Sequence, residues 1–171
     1  MTITMTPIGV IHSPYQTVES MPIQPSGAAE VAGRVVIDSA FADGLEDTEG
    51  FSHLILLYCF HRSRGYELRV KPFLDDLHRG LFATRAPRRP NPIGISTVAL
   101  IRRDGNILHI RGVDVLDGTP LLDIKPYVPA FDAPHASRIG WLEGKAQQAD
   151  RKRSDDRFAP AGGEKHCPGD P

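Results

Sequence analysis

Apolar positions in this chain gather into short runs, most of them β-branched and closed off by Gly, Pro or Asp. Ile8-Gly9-Val10-Ile11-His12-Ser13 reads as a first strand, ended by Pro14-Tyr15. Gly33 leads into Arg34-Val35-Val36-Ile37, whose branched side chains suit a second strand. Phe51 to Phe60 is almost continuously apolar. That pattern fits a strand buried on both faces, and its periodicity alone leaves a buried helix open. Gly50 before the run, and polar residues with Gly65 after it, favour the strand. Ile95 to Ile101 predicts another strand. Asp104-Gly105 turns it into Asn106 to Val115, because glycine supplies the positive φ of a tight hairpin. After the turn Leu116-Asp117-Gly118-Thr119-Pro120, the segment Leu121 to Pro129 reads as extended and broken by prolines. Phe41 to Glu49 predicts a turn of helix. Arg64 to Phe82 has no clean period and is a long loop or an irregular, helix-containing insertion. Trp141, the only tryptophan, is expected to cap the core.

Many short strands joined by turn-heavy connections predict a mainly β fold, a barrel or a bent sheet. No Gly-x-Gly loop follows a first strand, so a Rossmann cofactor site is not supported. At 171 residues, 40% hydrophobic and 24% charged, the chain holds one ordinary domain and a modest extension. The domain is expected over residues 1–143. Residues 144–171, charged and rich in Gly and Pro, are expected to be a poorly ordered tail.

Charge adds one constraint. With 20 basic and 21 acidic residues the net charge is −1, so any nucleic-acid site must come from local clustering. Cys59 in an apolar run and Cys167 in a polar tail give neither a disulfide framework nor zinc spacing. The N-terminus lacks a basic n-region and a long apolar stretch, and the longest apolar run is too short to span a bilayer. The expectation is a soluble, cytoplasmic protein without a membrane partner. Seven histidines invite a metal reading, but no His/Cys/carboxylate cluster stands at ligand spacing, so no metal is expected.

The candidate chemistry sits in two proline-stiffened loops. Arg85-Ala86-Pro87-Arg88-Arg89-Pro90-Asn91-Pro92-Ile93-Gly94-Ile95-Ser96 holds an amide and three guanidinium groups on a backbone that proline restrains. Met21 to Gly27 repeats the design, with Pro22 and Pro25 bracketing Ile23 and Gln24. Such loops suit an anionic or nucleotide-like ligand, and equally a plain turn with solvated arginines. His61 and Arg62 close the Phe51–Phe60 strand, where ligand contacts commonly emerge.

In chain order, Ile8–Tyr15, Gln24-Pro25, Gly50–Leu54, Phe60-His61-Arg62, Phe82–Arg85, Arg89–Ser96, Asp114–Pro120 and Leu122–Tyr127 together resemble the TrmO family. That family is also called TsaA-like, or VirR in one branch. The resemblance covers about residues 7–142. It implies a β-barrel methyltransferase with short helices, usually a homodimer with the cofactor site near the subunit interface. It implies S-adenosylmethionine-dependent methylation of the N6 amine of threonylcarbamoylated adenosine 37, in the anticodon loop of tRNA. By motif position the cofactor contacts fall on Gln24, Pro25, Ser26, His61, Arg62, Arg85, Ile95, Asp117, Gly118, Thr119 and Pro120. Longer bacterial members carry a further C-terminal domain, where this sequence has only a short charged tail. A non-catalytic cofactor- or RNA-binding module, or methylation of another substrate, is therefore the alternative.

Methyl transfer to an adenine amine needs the nucleophile aligned with the methyl at about 3–3.5 Å. It also needs an acceptor for the amine proton. Asn91, Asp123 and Tyr127 are the catalytic candidates, with Asp123 the base, though a turn carboxylate and a core tyrosine are the plain alternatives. Arg88, Arg89 and Lys125 are candidates for gripping an anionic substrate, since guanidinium forks pair with carboxylates and phosphates. Tyr15 or Tyr127 could stack on a base.

Overall fold

The computed structural model describes residues 3–19, 21–155 and 158. Six antiparallel strands close into a barrel in the order β1-β2-β7-β6-β3-β8. They are β1 (Gly9–His12), β2 (Ala32–Ile37), β3 (His53–Cys59), β6 (Ile93–Asp104), β7 (Ile107–Arg111) and β8 (Thr119–Pro126). Two short strands, β4 (Arg69–Val70) and β5 (Arg79–Gly80), pair with each other in the insertion between β3 and β6. The rest is 3₁₀ turns and one four-residue helix, α1 (Pro129–Asp132). Closure leaves none of the six strands with an unpaired edge.

Each barrel strand predicted from the pattern is present, and the Asp104-Gly105 turn joins β6 to β7 with Gly105 at φ 59°. The long apolar run forms β3, but it is not buried on both faces. Leu54, Leu56 and Tyr58 point into the core, while Ile55 and Leu57 stay half-exposed on the outside. They meet Val35 and Ile37 of β2, Val98 of β6, Leu108 and Ile110 of β7, and Leu121 of β8. The insertion was legible only as irregular, because two-residue strands are too short to carry a period.

Alternation in β8 is broken once. Leu57 pairs with Asp123, yet Tyr58 pairs with Leu121, so Leu122 is an extra residue on β8, a β-bulge. Thr119 and Leu121 face inward before it, and Ile124 packs on the core after it. Asp123 is thereby turned out beside Leu57.

The segment expected to be a loose tail is described as far as residue 155, and there it lies along the barrel end. Ser154 donates its backbone N–H to the Met21 carbonyl (2.8 Å), and its hydroxyl accepts from the Met21 N–H (3.0 Å). Lys145 reaches Asp75 at 3.0 Å, and Arg79 reaches the same carboxylate at 2.6 Å. These two cations, Lys145 first, hold the Asp75 carboxyl well below its usual range. Most of the remainder of that tail lies outside the described residues. Cys59 is buried and disulfide-bonded, which corrects the expectation of no disulfide framework; Cys167 lies outside the described residues. Among the described residues no helix is long and apolar enough to cross a membrane, and no group of three or more His, Cys, Asp or Glu is placed to hold a metal ion.

Candidate functional site

Three strand ends meet at one end of the barrel: the last residues of β3, the first of β6 and the first of β8. There a cavity of ≈ 970 Å³ opens. The two proline-stiffened loops form facing walls and are joined by a hydrogen bond, from the Arg85 guanidinium to Gln24 Oε1 at 2.9 Å. His61 and Arg62 line it as well, His61 almost fully buried. Arg62 donates to the Gln16 carbonyl (3.0 Å), which ties the end of β3 to the loop after β1. Ile95 and Thr119 complete the expected residues found on its walls.

Three expected cofactor contacts, Asp117, Gly118 and Pro120, fall elsewhere. Asp117 accepts from His12 Nδ1 (3.0 Å) and from the Ser13 N–H (3.1 Å), bracing the end of β1. Burial raises the Asp117 pKa, but the Ser13 and His12 bonds outweigh it and the net shift is downward. Gly118 (φ 74°) makes the turn, donating its N–H to Ile11, and Pro120 sits in the sheet opposite Val10. This turn supports the cavity from behind, with Leu116 and Thr119 among the lining residues. Pro25 and Ser26 begin the 3₁₀ turn Pro25–Ala28 that follows Gln24.

The expected catalytic residues are not brought into the chain's own cavity. Asn91 is exposed, and its carbonyl accepts from the Ile93 N–H (2.8 Å). Asp123 pairs with Lys125 at 2.7 Å on the outer face and caps the Ile124 N–H at 2.9 Å. Tyr127 lies beyond β8 and packs edge-on to His53, at the opposite end of β3. Tyr15 is half-buried in the loop after β1 and is not among the cavity residues. Of the substrate candidates, Arg89 lines the cavity, donating to the Thr84 carbonyl (2.9 Å) and lying 5.7 Å from the Phe82 ring centre. Arg88 turns into an adjoining pocket of ≈ 350 Å³ with Lys71 and His78.

The floor of the cavity holds what the motifs did not single out. Tyr58 of β3, Ser96 of β6 and Asp114 after β7 form a line of hydrogen bonds. The Ser96 hydroxyl donates to Asp114 Oδ1 at 2.6 Å, which leaves its oxygen to accept from Tyr58 Oη at 2.9 Å. Burial pushes the Asp114 carboxyl up to about 6, against the pull of Ser96 and of nearby Arg85. Burial, reinforced by Asp114, also keeps the Tyr58 phenol protonated. The Tyr58 ring lies directly over Gly94, where any side chain would overlap it. A lone carboxylate in the run Gly112-Val113-Asp114-Val115 was the one trace of this cluster in the sequence.

Aromatic and apolar side chains make up much of the remaining wall. Phe60 packs edge-on to Tyr58 at 5.4 Å, and Phe82 is 74% exposed at the rim. Trp141 does not cap the core: it lines the cavity and donates Nε1–H to the Ala83 carbonyl at 2.7 Å. Leu142, Ala146 and Ala149 follow it as a strap along one side. A cavity of this size, apolar with a few convergent polar groups, has the build of a small-molecule site. Its aromatic rings suit the faces of nucleobases.

Residues 10–133 match the family model of the tRNA-methyltransferase O N-terminal domain. A probable S-adenosyl-L-methionine-binding protein of Pyrococcus abyssi is 55% identical over 152 residues, covering 89% of this chain and 83% of that protein. The tRNA (adenine(37)-N6)-methyltransferase of Escherichia coli is 40% identical over 141 residues, 76% of this chain and 60% of the enzyme. A crystal structure of TrmO from Pseudomonas aeruginosa superposes with a TM-score of 0.69 at 40% identity, covering 82% of this chain and 63% of that one. The chain thus spans a little under two thirds of the length of that solved structure. The strap from Trp141 onward lies beyond the family match.

Proposed function

We propose, from the premise that this chain belongs to the TrmO family, that its barrel-end cavity binds S-adenosylmethionine and that the chain methylates the N6 amine of adenosine 37 in tRNA. The observation that carries this reading is the joining of Gln24, His61, Arg62 and Arg85 around one cavity of ≈ 970 Å³. Three stretches far apart in sequence, at 24, 61–62 and 85, line one cavity, which supports reading it as the cofactor site. The donor set fits the group: the apolar and aromatic wall accepts an adenine ring, while Gln24, Arg85 and Thr119 offer hydrogen bonds and a guanidinium for its polar ends. When bound, the cofactor supplies an electrophilic methyl on sulfur.

RNA is the favoured substrate because of local charge. From 61 to 89 the chain carries eight Arg or Lys against three Asp or Glu, a local excess of 8 − 3 = 5 positive charges in a chain of net charge −1. That stretch supplies much of the cavity rim, where phosphates would be met. Within this reading a threonylcarbamoyl carboxylate would be gripped by Arg88 and Arg89. The protein acts as a homodimer, and the half-exposed outer row Asp123, Leu57 and Ile95 is assigned to the second copy. That row ends at the cavity through Ile95. Seating a partner there would give Asn91, Asp123, Lys125 and Tyr127 a place near the reaction that they lack within one chain.

The test is direct. Calorimetry with S-adenosylmethionine should show saturable binding, and radiolabelled methyl should enter a tRNA anticodon stem-loop at its adenosine 37. Comparing stem-loops with and without the threonylcarbamoyl group settles which adenosine is used. Binding without methyl incorporation into either RNA would favour the alternative of a binding module. Absence of binding would sink the reading altogether.

A further inference from the structure

Resting on that reading, we propose that Asp114 is the catalytic base, taking the proton that the adenine amine loses, and that Ser96 and Tyr58 are the positioning residues that hold its carboxylate in place.

Such a reaction requires an acceptor inside the cavity. Methyl transfer forms an N–C bond and breaks the S–C bond, whose electron pair leaves with sulfur. The nitrogen becomes a cation carrying one proton too many. That proton must pass to a group of suitable basicity within hydrogen-bond reach. Among the described residues, the carboxylates on the cavity wall are Asp114 on the floor and Asp155 on the strap. Asp114 is the one built into the barrel. Its Oδ1 is fixed by the 2.6 Å bond from Ser96, and Ser96 is fixed in turn by the 2.9 Å bond from the buried Tyr58. Tyr58 cannot swing away, because its ring is clamped against Gly94 on the neighbouring strand and against Phe60. A base must be held still to be effective, and this one is anchored through two strands.

Its environment also suits the task. The groups whose charge or hydrogen bonding bears on Asp114 are Ser96 and Tyr58 from β6 and β3, Arg85 from the proline-rich loop and Tyr15 from the loop after β1. Arg85 favours the charged form and burial the neutral one; burial wins, and the carboxyl titrates near 6. At neutral pH it is therefore mostly ionised, yet more basic than an exposed aspartate. Asp123, Asn91 and Tyr127 lack this setting within the chain.

Asp114→Asn keeps the shape and an acceptor for Ser96 but cannot take the proton. Methylation of the stem-loop should fall about 10²-fold or more, while the affinities for S-adenosylmethionine and S-adenosylhomocysteine change by less than about threefold. In the unaltered protein the rate should fall on the acid side with a midpoint near 6. In Ser96→Ala that midpoint should move to higher pH, because the bond that favours the carboxylate is gone. A purely structural role for Ser96 would not move it.

Two results would overturn the assignment. One is an Asp114→Asn protein that methylates within about threefold of the original. The other is weakened binding of S-adenosylmethionine but not of S-adenosylhomocysteine, which lacks the sulfonium charge; that would make Asp114 a counter-charge for sulfonium instead. If Asp114→Asn fails to fold, the midpoint in Ser96→Ala decides: no shift refutes the role. Failure of the underlying reading looks different, since the unaltered chain itself would then methylate no RNA.

Discussion

The inner floor of the cavity and the outer wall of the barrel carry similar chemistry in very different settings. Tyr58 and His53, near the two ends of β3, lie roughly 17 Å apart at about 3.4 Å per residue. At the Tyr58 end, polar groups face inward and are locked: Tyr58 to Ser96 to Asp114, with Arg85 spanning the two loops above. On the outer face, Asp123 beside Leu57 and Lys125 beside Ile55 neutralise each other in solvent, and farther along Tyr127 rests on the edge of His53. Acidic, basic and phenolic side chains occur in both settings. What separates them is burial, because desolvation disfavours the charged form of a carboxylate.

The sharpest way to break this contrast is to destroy the floor. Gly94→Val puts a branched side chain into the Tyr58 ring, and should cost about 3 kcal/mol or more of stability, read by urea denaturation. A loss under about 1 kcal/mol would mean that Tyr58 is free to move. Next is Arg85→Ala, which removes a charged donor from the cavity mouth. Binding of S-adenosylmethionine should weaken by roughly 2 kcal/mol, about 30-fold, in calorimetry.

The pH dependence of folding gives a somewhat smaller effect with a definite sign. The Asp114 pKa is raised in the folded state, so the folded protein holds its proton more tightly than the unfolded chain does. That contribution is fully present below about pH 4 and is lost as pH rises through about 6. Relative to Asp114→Asn, the original protein should therefore lose on the order of 1–2 kcal/mol between pH 4 and pH 7. A flat difference across that range would place Asp114 in water. The smallest effect belongs to the outer wall. Asp123→Asn and Tyr127→Phe should each leave S-adenosylmethionine affinity within about twofold and stability within about 0.5 kcal/mol. If either weakened binding as Arg85→Ala does, the inner floor and the outer wall would not be distinct.

Much of the fold was legible because barrel strands announce themselves through branched residues and turn chemistry. Ile8–Ser13, Arg34–Ile37 and the Asp-Gly hairpin needed little more than local preference. The cofactor-side residues were legible only through the family resemblance, since no local rule joins Gln24 to Arg85 across 61 positions. The floor was legible only as a trace, the lone carboxylate of Asp114. Tyr58 reads as one more apolar member of its run, Ser96 as a strand residue and Asp114 as part of a turn approach. Their chemistry exists only once three strand ends are side by side. Trp141 was misplaced for a similar reason: a large ring suggests core, and only the cavity gave its indole N–H a carbonyl partner.

The single extra residue at Leu122 has a consequence for how this barrel tolerates change. It works as a frame marker: upstream of it odd-numbered positions of β8 face the core, downstream even-numbered ones do. Substituting Leu122 alters one half-exposed side chain. Deleting it would remove the bulge and restore plain alternation, with Asp123 following Leu121 on the outer face and Ile124 still facing the core. For this strand, then, one residue of length is spare at this place, whereas in β3, which pairs with β6 without a register shift, the loss of one residue would turn everything after it to the other face.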